Sequence, residues 1–189
     1  MAEKNKNLKK ALLEEIEISN GINVEIKKSK VIMKKGNNQI ERSVNPRLIV
    51  KVENNKVIIS SKKTSRKEKK VFGSLVAHIK NSLNGLNEPY TYRLQAVSVH
   101  FPMTLFHDKT SNELVVKNFL GERKDRRMKL VEGVNVRINK DIIEIESYNI
   151  EKAGQTAANI EKATKIRFRD RRIFQDGIFI IEKPGRSFL

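Results

Sequence analysis

Cysteine and tryptophan are both absent from this 189-residue chain. Without cysteine there is no disulfide framework and no thiolate metal site, and a reducing cytoplasm suits such a chain. Aromatic residues amount to only 6%, whereas a protein that reads single-stranded bases by stacking usually carries more. Histidine occurs three times, at His78, His100 and His107, with no zinc-like spacing and no HExxH. His78 sits beside a helical apolar stripe and reads as a packing residue. No G-x-x-x-x-G-K-[ST] phosphate loop, G-x-G-x-x-G turn or G-x-S-x-G elbow is found. Acidic residues are scattered among basic ones, as surface ion pairs are, rather than paired for acid/base chemistry. The expectation is therefore no enzyme, no metal, no cofactor and no small-molecule substrate. No apolar run approaches bilayer length. The opening "MAEKNKNLKK" leads into "ALLEEIEIS", which is acidic and too short for a signal-peptide core. No membrane partner is expected.

What the chain does hold is positive charge. Charged residues make up 32%, the net charge is +17, and the pI is near 10.1. A protein this basic repels itself unless a polyanion is at hand, and nucleic acid is the first such partner to consider. The GXXG clamp and the RRM aromatic signature are both missing, so charge without stacking platforms points to folded RNA recognised by shape and phosphate. The two kinds of cation are unevenly placed. Residues 1–94 hold 17 Lys and 4 Arg against 9 acids, whereas residues 95–189 hold 9 Lys and 9 Arg against 13. Arginine presents a planar fork matched to phosphate, and lysine is a hydrated point charge. The second half is thus the better surface for docking in one register. The lysines near the start and "SKKTSRKEKK" at Ser61 to Lys70 read either as a diffuse electrostatic skirt or as a solvated face.

Periodicity gives the architecture. "IEIS", "INVEI" and "KVIM" alternate as strands do, with a turn at Asn20-Gly21. In "RLIVKVENNKVIISS", Leu48, Val50 and Val52 share a face, Asn54-Asn55 turns the chain, and Val57 and Ile59 return it as a hairpin. A helix follows, with Phe72, Leu75, Val76, Ile79 and Leu83 as its stripe, Ser65 and Glu68 at capping-box spacing, and Gly85 as its stop. The second half repeats this order through "LQAVSVHFP", "ELVVKNFLG" and "VNVRINKDIIEIES", then a helix capped by Asn149. "VKVENNKVIISS" falls on "VRINKDIIEIES" at an offset of 86, and "FGSLVAHIK" on "AGQTAANIE" at an offset of 81. The fold expected is α+β, with two tandem duplicated domains, 1–94 and 95–189, each an antiparallel sheet packed against a helix.

Candidate RNA contacts gather in three places. In "KIRFRDRRIFQDG" a strand would turn Ile166 and Phe168 inward and Arg167 and Arg169 outward. Lys165, Arg171, Arg172, Lys183 and Arg186 extend that cluster, and Asp170 and Asp176 brace individual guanidiniums. "GERKDRRMK" offers Arg123, Lys124, Arg126 and Arg127 on a loop between strands. On the helix "AGQTAANIEK", Gly154, Ala157 and Ala158 permit close approach to a sheet or a ligand, and Gln155, Asn159 and Lys162 are candidate polar contacts.

"NFLGERKDRR" at Asn118 to Arg127, "AGQTAANIEKATKIRFRDRRIFQDGIFI" at Ala153 to Ile180 and "HFP" at His100 to Pro102 resemble the large-subunit ribosomal protein six family. The likeness is to its archaeal and eukaryotic branch, whose eukaryotic member is called protein nine. The first half resembles it in layout, and "ISNGI" and "KKGNN" lack two prolines common in the family. The resemblance implies tandem α+β domains and a cytoplasmic, ribosome-bound protein without enzymatic activity. It also implies binding to large-subunit rRNA near the sarcin–ricin loop and factor-binding region, mainly through the second domain, beside neighbouring ribosomal proteins. The alternative is a freestanding basic RNA-binding protein or RNA chaperone on the same duplicated scaffold.

Overall fold

A computed structural model of the chain describes residues 12–61 and 63–188. The lysines of the first ten residues, and Lys62 of the basic stretch before the first helix, lie outside the described residues. Contacts divide the chain into one unit ending at Glu88 and another beginning at Pro89.

The first unit opens with β1 (Leu12–Glu17), β2 (Asn23–Lys27), β3 (Lys30–Lys35), β4 (Asn38–Ser43), β5 (Leu48–Glu53) and β6 (Lys56–Ser61), then α1 (Arg66–Asn87). Two antiparallel sheets result, β1-β6-β5 and β2-β3-β4, and α1 packs on both. Alternation decides which side chains go inward. Val57 and Ile59 on β6 are wholly buried, facing Ile16 on β1 and Val50 and Val52 on β5. Against them lies the α1 stripe of Leu75, Ile79 and Leu83. Each such fully buried aliphatic side chain contributes roughly 1.5–3 kcal/mol. The β5–β6 turn uses left-handed Asn54 and Asn55, at φ 47° and 60°, which suits the twist of a two-residue hairpin.

The α1 start is as the spacing predicts, since the Glu68 amide donates to the Ser65 hydroxyl at 3.3 Å. Its end is not. Gly85 is a buried helical residue, and α1 runs on to Asn87 because Leu86 belongs to the core. Pro89 stops it instead, forcing Glu88 into extended backbone at φ −133° and ψ 124°.

The second unit repeats the plan. It contains β7 (Tyr90–Val97), β8 (Thr104–Asp108), β9 (Glu113–Lys117), a single 3-10 turn at Phe119–Gly121, β10 (Arg126–Lys129), β11 (Asn135–Asn139) and β12 (Ile142–Ser147). Then come α2 (Ile150–Ala163), β13 (Gly177–Lys183) and β14 (Arg186–Ser187). β10-β9-β8 matches β4-β3-β2, and β11-β12-β7 matches β5-β6-β1. The 86-residue offset holds in detail. Ile143 and Ile145 take the places of Val57 and Ile59, fully buried, and face Ile138 and Val136 as their counterparts face Val52 and Val50. β7 is the central strand, paired with β12 on one side and β13 on the other. That is why the break falls before Pro89 rather than at 94/95, which would cut this strand.

The two halves differ after the helix. α1 leads directly into β7, whereas α2 leads through a thirteen-residue connection, 164–176, into β13, which has no counterpart in the first sheet among the described residues. This connection carries the arginine cluster and is irregular, so the strand expected from its alternation does not form. Phe168, expected to face a sheet core, stands at φ +59° and is fully exposed.

The paired helix glycines are not equivalent. A Cβ at Gly154 would lie 3.0 Å from the Tyr92 hydroxyl, so the close approach there is to the sheet, whereas nothing lies within 4 Å of one at Gly73. Gly73→Ala is expected to raise stability by about 0.5–1 kcal/mol through helix propensity alone. Gly154→Ala should gain less, because Tyr92 must move. Chemical denaturation of the two variants checks the ranking.

Candidate nucleic-acid interface

The connection from α2 to β13 is irregular in backbone but held at both ends. At its start Thr164, buried, donates from Oγ1 to the Ile160 carbonyl at 3.4 Å and accepts the Ile178 amide at 3.0 Å. At its end Asp176, also buried, accepts the amides of Val99 at 2.8 Å and His100 at 3.0 Å, and its Oδ2 lies 2.6 Å from His100 Nδ1. An ionised carboxylate can only accept, so Nδ1 carries the proton. The His100 ring stacks on Phe174 at 4.9 Å, and the Arg169 guanidinium lies over the same Phe174, 4.7 Å from its centroid. Burial works to raise the Asp176 carboxyl, but the His100 amide, the His100 ring and the Val99 amide outweigh it and hold it below the usual aspartate value. Asp176 therefore does not brace a guanidinium, as its place among the arginines suggests. It braces a histidine and the chain after β7 instead.

Between the clamps the chain turns at Asp170, whose carbonyl accepts the amides of Ile173 and Phe174. Its carboxylate accepts the amide of Arg172 at 2.9 Å and the same residue's guanidinium at 2.9 Å, as expected of a brace. The Arg172 side chain still has 90% exposure.

A groove of about 750 Å³ runs between this connection and the C-terminal end of α2. Ile166, Phe174, Ile178 and Phe179 give it an apolar lining, Lys162, Lys165, Arg167 and Arg171 add four cations, and Glu161 and the His100-bound Asp176 add two acids, so cations predominate. The four cations are at least partly exposed, and among the described residues none has an ion-pair partner. The apolar lining lowers the local dielectric and strengthens the field those cations present to an anion.

The second candidate surface is only partly loop, because Arg126–Lys129 is β10. Arg126 is engaged internally: Nη1 donates to the Ala163 carbonyl at 2.8 Å, Nε donates to Glu122 at 2.8 Å, and the guanidinium lies 4.0 Å from the Phe119 ring centroid. It staples β10 to the end of α2, while Arg123 and Lys124 are exposed on the loop before β10. Arg127 faces Glu113 at 3.8 Å. On α2, Gln155 Nε2 donates to Asn159 Oδ1 at 2.7 Å, so those two side chains engage each other. Lys183 and Arg186 sit on the β13–β14 hairpin, 5.2 and 4.8 Å from the Phe188 ring, and do not line the groove. Sequence reasoning misses Thr164, His100 and Phe168. The first two act through partners 14 and 76 residues away. Phe168 is hidden by its strand-like neighbours. Among the described residues no group of three or more His, Asp or Glu is placed to hold a metal, and no helix is long and apolar enough to cross a membrane.

Asp176→Asn is expected to lose about 1–3 kcal/mol at neutral pH, the usual cost of disrupting a charged buried hydrogen-bond set. A carboxyl held low in the folded state stabilises above the unfolded aspartate value of about 3.9, and that stability is lost as pH falls through the lower folded value. The gap in thermal stability between wild type and variant should therefore be widest above about pH 5 and narrow in stronger acid.

A family model described as ribosomal protein L6 matches residues 110–177, a span that ends where the arginine-bearing connection meets β13. The large ribosomal subunit protein uL6 of Methanococcus vannielii is 40% identical over 174 residues, covering 92% of this chain and 94% of that protein. The uL6 proteins of Sulfurisphaera tokodaii, at 40% identity over 91% of the chain and 92% of the relative, and of Staphylothermus marinus, at 38% over 90% and 94%, agree with it. With likeness of this strength over nearly the whole length, through both copies of the duplication, the chain belongs to the ribosomal protein L6 family, whose members are structural rather than enzymatic.

Proposed function

We propose that the chain is a structural constituent of the large ribosomal subunit and binds its folded rRNA chiefly through the second unit, with the groove beside the α2–β13 connection as the centre of contact. The observation that carries this reading is the set of four cations, Lys162, Lys165, Arg167 and Arg171, collected around one groove without acidic partners among the described residues. Each can neutralise a phosphate and release a counterion. Arg123 and Lys124 extend the surface, and Arg169 and Arg172 are held on the same connection by Phe174 and Asp170. The proposal extends to a position near the sarcin–ricin loop and factor-binding region, beside other large-subunit proteins on the cytoplasmic ribosome, as the family resemblance implies. No small-molecule substrate and no cofactor enter it.

Two measurements test this reading. Stoichiometric co-sedimentation with large subunits after a high-salt wash is expected, whereas salt-labile, substoichiometric association would indicate a freestanding RNA binder. Salt titration of rRNA binding separates contact residues from braces. Arg171→Ala should lower the log–log slope by roughly 0.7–0.9, the share of one phosphate. Arg172→Ala should act in the same direction but less, since Asp170 already partly neutralises it. Arg126→Ala should leave the slope unchanged and lower folding stability by about 1–2 kcal/mol.

A further inference from the structure

Phe168 is the most exposed large apolar residue described, at 104% relative exposure, and it stands in left-handed backbone at φ +59°. Left-handed backbone is costly for a bulky side chain, and a phenylalanine in water forgoes the burial that normally justifies it. Both penalties fall on one residue of a connection whose two ends are clamped by Thr164 and Asp176. Nothing described in the unit covers the ring: the nearby aromatics Phe174 and His100 stack on each other. Arg167 and Arg169 flank it in sequence, and Arg171 and Arg172 follow.

We infer that Phe168 is a stacking platform for an unpaired RNA base, with the flanking arginines on the phosphates to either side. This deepens the proposed rRNA-binding function and rests on it. A ring standing free of its own fold is best covered by a flat partner, and a nucleobase offers a π-face whatever its identity. The base must be bulged or splayed, because a base inside an A-form helix already has both faces covered. A neutral lipid surface or an apolar protein partner would also cover an exposed ring but would leave four arginines within six residues unaccounted for, and RNA is preferred to an anionic lipid surface because the chain belongs to a family of ribosomal proteins. A chain with 6% aromatics can therefore combine phosphate neutralisation with one stacked base, so its recognition of RNA is not by shape and charge alone.

The absence of tryptophan makes the test direct, since Phe168→Trp introduces a single reporter. The full chain and its Phe168→Trp, Phe168→Leu and Phe168→Ala variants would be titrated with large-subunit rRNA stripped of protein. The expected results are wild-type affinity for Phe168→Trp with its fluorescence quenched on binding, and a loss of roughly 5- to 150-fold for Phe168→Ala, the range found for one stacked base. Phe168→Leu should resemble Phe168→Ala, because aliphatic bulk does not replace a ring. The salt slope should stay unchanged in all three. Their thermal stability should match wild type, as the side chain is fully outside the core.

Wild-type affinity for Phe168→Ala or Phe168→Leu, or unquenched indole emission from the Phe168→Trp variant in the complex, would overturn the stacking role while leaving the rRNA-binding reading intact. Absence of rRNA binding by the wild-type chain would overturn both. A blue shift of the reporter on anionic phosphatidylserine vesicles, without quenching by rRNA, would assign the ring to a membrane and likewise end the proposal.

Discussion

Asp176 is a carboxylate out of water, and three hydrogen bonds keep it charged there. Its partners are two amides and the ring of the segment after β7, so the carboxylate ties the far end of the arginine-bearing connection to the central strand of the second sheet. Without that tie the far end of the connection would be held only from Gly177, where β13 pairs with β7, and the cations before it would be less constrained. A flexible cation still attracts RNA, but it loses conformational entropy on docking. His100 adds a second constraint, because its ring stacks on Phe174 and Phe174 carries Arg169. One buried charge thus fixes a histidine, the histidine orients an aromatic ring, and the ring holds a guanidinium at the surface.

Duplication explains why, among the described residues, only the second copy has this device. Both units use the same positions for the same core, as the matched burial of Val57 with Ile143, Ile59 with Ile145 and Ile79 with Ile160 indicates. In the first copy the helix ends at a proline and the chain moves on. In the second, β13 adds a strand to the outer side of β7, and reaching it from α2 requires the connection that forms the groove. The close seat of α2 follows from small residues. Ala153 and Ala157 are wholly buried where the first helix has Phe72 and Val76, and Gly154 admits the Tyr92 hydroxyl. The groove arises from an added strand and its connection, with the shared core left as it was.

Local rules make the regular elements legible. Ser65 and Asn149 are visible as caps, Asn54-Asn55 as a turn and the β11–β12 pair as a hairpin, because each depends on residues two to four positions apart. The same rules misread the connection. Ile166-Arg167-Phe168-Arg169 alternates as a strand does, but a strand needs a partner edge, and the free side of β7 is taken by β13. What shapes 164–176 instead is a pair of contacts distant in sequence, Thr164 with Ile178 and Asp176 with His100. Gly85 misleads for a related reason. Its helix-stopping preference is about 1 kcal/mol, and burial of the adjoining Leu86 is worth more.

The candidate cations divide by how firmly the protein already holds them. Arg126 bonds a backbone carbonyl and a carboxylate and covers an aromatic ring, so moving it to a phosphate would leave the Ala163 carbonyl without this donor and expose Phe119. Its positive charge belongs to the fold. Arg172 is bound to Asp170 in water, and an exposed pair of that kind contributes little to stability. A phosphate offers the same bidentate geometry with comparable charge, so Arg172 can exchange Asp170 for RNA at little cost. The Asp170 pairing therefore pre-orients the guanidinium without withholding it. Arg167 and Arg171, with no acidic partner among the described residues to give up, present their full charge to an incoming strand. Counting arginines overstates the proposed interface, and counting only the unpaired ones understates it; what matters is the free energy each must surrender to turn toward phosphate.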